Sequence, residues 1–230
     1  MQNKPKTSPL EWLEVTLLIA PFLYLAAQWG KFPAVVPIHW NIHGRINGWA
    51  PKSWGLPLLP VTTVAMWCLL KYLPTIDPKV RRSQGDERQR AMAVFAIIRP
   101  ALLLFFTLIF CVQIANALGL PVPMDAFALN ACLVLLIIIG NFSAKLRPNY
   151  FTGIRTPWTL DNPETWRATH RIGGRIMVFG ALALLVTEFF VSRKIFNCLF
   201  VAFVLGFAAW AFLFSWNHSR THPTGAATRA

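Results

Sequence analysis

Two polar stretches in an otherwise oily chain carry side chains able to do chemistry. The longer one, residues 149–171, reads NYFTGIRTPWTLDNPETWRATHR. Arg155, on a short turn after Gly153, offers a planar fork of donors beside Thr156 and Trp158. That fork suits a carboxylate or phosphate, and equally the backbone carbonyls of neighbouring helix ends. His170 is a candidate proton acceptor, yet no nucleophile accompanies it and the acids of the stretch are only Asp161 and Glu164. A His170 packed beside Trp166 and hydrogen-bonded to backbone fits these residues better. Upstream, Lys145 and Arg147 follow an apolar run. They complement the negative end of a helix that Pro148 stops, and they reach lipid phosphates, a structural role that stands beside a binding one.

The second stretch, VVPIHWNIHGRINGWAPKSWG, covers residues 35–55. His39 and His43 stand four apart, the spacing of one helix face, which suggests zinc. Two histidines with only the distant Asp125 and Glu188 for company fall short of the three or four ligands such a site takes. The other readings are a turn whose His39 and Asn41 side chains bond the loop backbone, and a surface that, with Trp40, recognises an external peptide or lipid. Its tryptophans suit a membrane interface, so the loop is expected to fold back on the bilayer surface.

The elements that must position these loops follow from composition. Hydrophobic residues are 55% of the 230 positions and charged ones 13%, too apolar for a soluble domain. Runs of about 20 apolar residues, enough to cross a bilayer, lie near 10–30, 54–73, 99–118, 122–142, 172–191 and 195–216. With no water to satisfy backbone groups each must be a helix, and runs such as LVLLIIIG lack the alternation of a barrel strand. Lys4 and Lys6 before the first run also suggest a signal peptide. That run is long, holds Pro21 and lacks a small-x-small cleavage site, so it reads as a span. The four cysteines fall inside spans and show no ligand spacing.

The formal charge of +13 raises the question of nucleic acid, but its placement answers to topology and no direct nucleic-acid binding is expected. Six alternating helices put sixteen basic residues, from Lys4 and Lys6 through the second and fourth connections to Arg220 and Arg229, on one side. Lys31, Arg45, Lys52, Arg193 and Lys194 take the other. The positive-inside rule then places both termini in the cytoplasm. Arg99 fits the cytoplasmic mouth of the third span, after a surface helix over 86–98. Asn162, Pro163 and Glu164 start a new helix whose Arg167, Arg171 and Arg175 form a basic row, with Gly173 and Gly174 permitting close packing or a bend. The expected fold is thus an all-α integral membrane protein of six transmembrane helices, with an interfacial amphipathic helix in the fourth connection and a mobile tail from 221 on. Residues 1–230 read as one polytopic domain, a two-helix unit at 1–75 and a four-helix unit at 76–230.

The segment GNFSAKLRPNYFTGIRTPWTLDNPETWRATHRIGGR resembles the signature of the SdpI family of bacterial multi-pass membrane proteins. PIHWNIHGRINGWAPK resembles the extracytoplasmic domain of unknown function often found in front of it. The matching positions include Gly140, Asn141, Lys145, Arg147, Asn149, Gly153, Arg155, Thr156, Trp158, Trp166 and His170, and in the other loop His39, Trp40, Asn41, Gly44 and Lys52. Ser143-Ala144 departs, since relatives carry a larger apolar residue and Pro or Gly there. The resemblance implies a protein of the bacterial cytoplasmic membrane with no cofactor or metal. It would protect its cell from a secreted toxin peptide outside and, when engaged, hold a transcriptional repressor inside. Ligand or partner contacts would fall on Asn141, Asn149 and the other matching polar positions.

Two other classes are compatible with six spans. A transporter should carry ionisable or broken-helix sites near mid-membrane, and the candidates Gln113, Asn116 and Asn130 are neutral, while Glu188 lies near enough to Arg193 or Lys194 to pair. A membrane hydrolase or lipid-modifying enzyme would use His39 or His170, without the HExxH or GxSxG pattern.

Overall fold

A computed structural model describes residues 9–41 and 43–223; Lys4, Lys6, Arg229 and most of the expected tail lie outside them. In chain order the elements are α1 (Pro9–Gln28), β1 (Val35–Trp40), β2 (Ile46–Pro51), α2 (Lys52–Gly55), α3 (Leu58–Ile76), α4 (Pro78–Arg82), α5 (Gly85–Ala117), α6 (Met124–Ser143), α7 (Pro157–Asp161), α8 (Pro163–Thr187) and α9 (Arg193–Thr221). Six helical stretches are long and apolar enough to cross a membrane, Pro9–Lys31, Lys52–Ile76, Gly85–Ala117, Met124–Ser143, Pro163–Thr187 and Arg193–Thr221, each over one of the expected runs. Phe179 and Leu205, 68% and 65% exposed, would be costly in water and are at home against acyl chains.

Two local expectations are corrected. The surface helix expected at 86–98 is not separate, because it forms the first turns of the 33-residue α5. The amphipathic segment after Asn162 leads into the fifth span as expected, within the one helix α8, and Gly173 and Gly174 serve close packing. The polar loop at 35–51 is an antiparallel hairpin, with Val35 opposite Pro51, Pro37 opposite Trp49 and His39 opposite Gly48. Two bulges flank His39, where Gly48 leaves space that a Cβ would take from the His39 side chain.

The chain divides into two compact units, 1–71 with 99–132, and 72–98 with 133–230. In the first, Leu25, Phe32, Val36, Leu56, Phe110 and Ile114 form one apolar core, which seats the hairpin on α5. Gln113, 2% exposed, fixes that seat by donating through Nε2 to the carbonyls of Pro37 and Gly55, both at 3.1 Å. Lys52 adds bonds from Nζ to the Trp29 and Phe32 carbonyls at 3.1 Å each. Asn116 ties the α5–α6 turn through Nδ2 to Val122 O at 3.0 Å. Two of the three polar residues that a transport reading singled out are thus joints of the framework.

The same unit buries a charge pair. Glu14, 4% exposed, accepts from Arg99 Nε at 2.8 Å and from Trp67 Nε1 at 2.9 Å. Arg99 is therefore not merely a mouth residue, since a carboxylate from α1 neutralises it.

In the second unit α6 and α8 cross at glycine. A Cβ on Gly174 would stand 2.5 Å from Gly140 O, and one on Gly140 2.8 Å from Gly174 O, so each backbone occupies the space a side chain would need. Glu188 and Arg193 pair at 2.5 Å across the α8–α9 turn, as their spacing suggests.

Candidate functional site

The connection between α6 and α8 is held by its own polar side chains. Asn149, 2% exposed, accepts through Oδ1 from the backbone N–H groups of Phe151 at 2.9 Å and Thr152 at 2.7 Å, and donates through Nδ2 to Arg147 O at 2.9 Å. Asp77 splits its carboxylate. Oδ1 caps α4 by accepting from Lys79 N and Val80 N, while Oδ2 accepts from Tyr150 N at 2.7 Å. Asp77 escaped the sequence reading; its Asp-Pro dipeptide marks a helix cap, but nothing local points to residue 150. Arg155 donates from Nη1 to Tyr150 O at 2.7 Å, a bond within the loop itself and not to a helix end.

Gly153 turns with φ +98°, and a Cβ there would stand 2.3 Å from His170 Nε2. The turn aims Ile154 N–H at His170 Nε2, 2.9 Å away, and His170 Nδ1 lies 2.8 Å from Trp166 O. An N–H facing Nε2 requires a lone pair there, and a carbonyl facing Nδ1 requires a proton, so the ring is the neutral Nδ1–H tautomer with both nitrogens engaged. It stacks on Trp166 at 4.1 Å, and Trp166 donates from Nε1 to Leu146 O at 2.9 Å. Both are buried, at 0% and 1% exposure.

Thr156 caps α7 in a reciprocal box with Thr159, and its Oγ1 meets Ser215 Oγ of α9 at 2.9 Å. Trp158 packs edge-on against Phe212 at 4.9 Å. Asn162 caps α8 with Oδ1 and donates from Nδ2 to His222 O at 2.7 Å, which pins the end of α9 to the start of α8.

Asn149, Arg155, Thr156, Trp158, Trp166 and His170 are therefore brought together as one framework. Lys145 and Arg147 are placed differently: with Arg167 and Arg171 they line a cavity of about 580 Å³. Asn141 is exposed on α6, away from the loop's hydrogen bonds.

In the hairpin, His39 Nδ1 meets Asn47 Oδ1 at 2.6 Å, a side-chain pair across the strands in place of the expected bond to backbone. Asn41 does bond backbone: its Oδ1 accepts from His43 N at 2.9 Å and Arg45 N at 3.1 Å. Gly44 turns with φ +71° against the Asp125 carboxylate. His39 lies on β1 and His43 in the turn, so the helix face that would pair them for zinc does not form. Trp40 is half-buried, its indole N–H without a partner among the described residues.

Six apolar helices and two polar assemblies closed by their own hydrogen bonds define a multi-pass helical membrane protein. Residues 145–215 match the SdpI/YfhL protein family, and residues 16–64 match a domain of unknown function, DUF1648. Over residues 145–215 the chain is thus similar to SdpI-family proteins. Over 193 residues it is 23% identical to immunity protein SdpI of Bacillus subtilis (strain 168), covering 84% of this chain and 88% of that one. No solved structure matches it.

Proposed function

We propose that this chain is a non-enzymatic membrane immunity and sensor protein of the bacterial inner membrane, with both termini cytoplasmic. It would protect its cell from a secreted, membrane-active toxin peptide and report engagement by recruiting a cytoplasmic repressor. The observation that carries the reading is the similarity to an immunity protein over 84% of this chain. The two loops support it, being ordered scaffolds that present surface. On the hairpin, Trp49 is 57% exposed beside a cross-strand pair and an Asn-capped turn, a rigid amphipathic face for an incoming peptide. His39, Trp40 and Asn41 set that face. On the other side, Asn141 near the end of α6 with Lys145, Arg147 and the Arg155–Trp158 turn form the partner surface.

Dye-loaded vesicles with and without the protein, challenged with secreted bacterial membrane-active peptides, test the protective half. Leakage that is equal in both, together with no cytoplasmic protein co-purifying from cells, would remove the proposal. Thiol labelling of intact cells tests orientation, with Asn47→Cys expected to react and Thr152→Cys to stay protected.

A further inference from the structure

The basic cavity beside α8 shares Lys145 and Arg147 with the proposed partner surface and has a second use, one that does not rest on the immunity reading. Its charged lining is Lys145, Arg147, Arg167 and Arg171, with no acid among them. None of the four pairs with a carboxylate among the described residues. Its other wall is apolar, made by Ala93, Val94 and Ile97 of α5 with Leu146. Concentrated uncompensated cations beside an apolar wall, at the polar end of helices that cross a membrane, match a headgroup whose phosphate is followed by hydrocarbon.

The geometry is also built in advance. Trp166 ties the Leu146 carbonyl to α8 and Asn149 braces the Arg147 carbonyl from within the loop, so the strip carrying Lys145 and Arg147 is held beside α8. On α8, Trp166 and His170 are buried and the residues directly after them, Arg167 and Arg171, are exposed, so the packed row sets where the basic row emerges. Arg147 also lines a smaller cavity of about 240 Å³ with Lys79, Arg82 and a single acid, Glu87, which extends the basic surface.

We propose that this cavity is a binding site for a phosphate-bearing anionic headgroup, that of a phospholipid such as phosphatidylglycerol. Arg147, Arg167 and Arg171 grip the phosphate by paired N–H donation, Lys145 adds a point charge, and the Ala93–Ile97 wall takes the glycerol and first methylenes.

The test uses the full chain in detergent, titrated with phosphatidylglycerol or zwitterionic phosphatidylcholine and read by native mass spectrometry. One phosphatidylglycerol should be retained in preference to phosphatidylcholine. Arg171→Gln should weaken it about fivefold and Arg147→Gln/Arg171→Gln about twentyfold, by the usual contribution of one basic residue to an anionic lipid. Arg175→Gln, one turn on in the same exposed row but outside the cavity, should stay within about twofold. Arg171→Lys should retain part of the affinity, and unchanged helical content in each variant guards against misfolding. Competition by soluble glycerol 3-phosphate would show that the headgroup alone suffices; its failure, with lipid binding intact, would show that the chains on the apolar wall are needed. The site is refuted if Arg175→Gln weakens binding as much as Arg171→Gln, if Arg147→Gln/Arg171→Gln leaves it unchanged, or if a glutamate-rich peptide binds where phosphatidylglycerol does not.

Discussion

His170 closes the Gly153 turn by accepting the Ile154 N–H at 2.9 Å, which makes a histidine on α8 the cap of a loop sixteen residues earlier. Removing the ring orphans a backbone donor and the Trp166 stacking face together. His170→Ala should cost about 1–3 kcal/mol, read as a lower midpoint of thermal unfolding in detergent. An unchanged midpoint would mean that the turn holds without it.

Gly153→Ala should act through the same joint. A Cβ at φ +98° is strained, and it would stand on His170 Nε2, so the variant should lose the Ile154 bond even though His170 remains. Amide exchange at Ile154 is the measurement, and protection equal to the parent protein would contradict the geometry.

Gly174→Leu should separate α6 from α8, because the Gly140 carbonyl occupies the space the new side chain needs. Overpacking of this kind costs about 1–3 kcal/mol, and the smaller Gly174→Ala should fall between the two. A cysteine pair across the crossing should report the widening as slower disulfide formation.

Glu14→Gln should destabilise the first unit by about 3 kcal/mol, since it leaves the Arg99 guanidinium poorly compensated in a site where the carboxylate is 4% exposed. The double variant Glu14→Leu/Arg99→Met should recover most of that loss. Unfolding curves of the two variants decide it, and a double variant worse than the single one would show that the pair is worth more than its burial costs.

Arg155→Ala should impair protection more than Arg167→Ala at matched expression. The first removes the bond to Tyr150 O that braces the turn, while the second removes one exposed cation from a helix surface. Equal losses in a toxin-survival assay would speak against a constrained Arg155.

Much of the site was legible as residue type and little as role. Asn162 reads as a helix cap because capping is decided within three residues, and it is one. His170 reads as a packed histidine from its Trp166 neighbour four positions back. The partner of its second nitrogen, Ile154, depends on where a glycine turn returns the chain. The hairpin at 35–51 was missed because its glycine, asparagine and proline residues read as turns, although Val35, Val36, Ile38, Ile46 and Trp49 favour strands; the apolar core and Gln113 beneath seat it.

By itself the sequence determined how many times the chain enters lipid, roughly where, and which loops gather charge. Those depend on transfer energies that add residue by residue along a contiguous run. Only the tertiary structure decided that Glu14 answers Arg99, that Asp77 holds Tyr150, and that Lys145 and Arg147 share a cavity with Arg167 and Arg171. Such partners lie tens of residues apart, and a hydrogen bond or ion pair forms at a few ångströms between groups that only packing brings together.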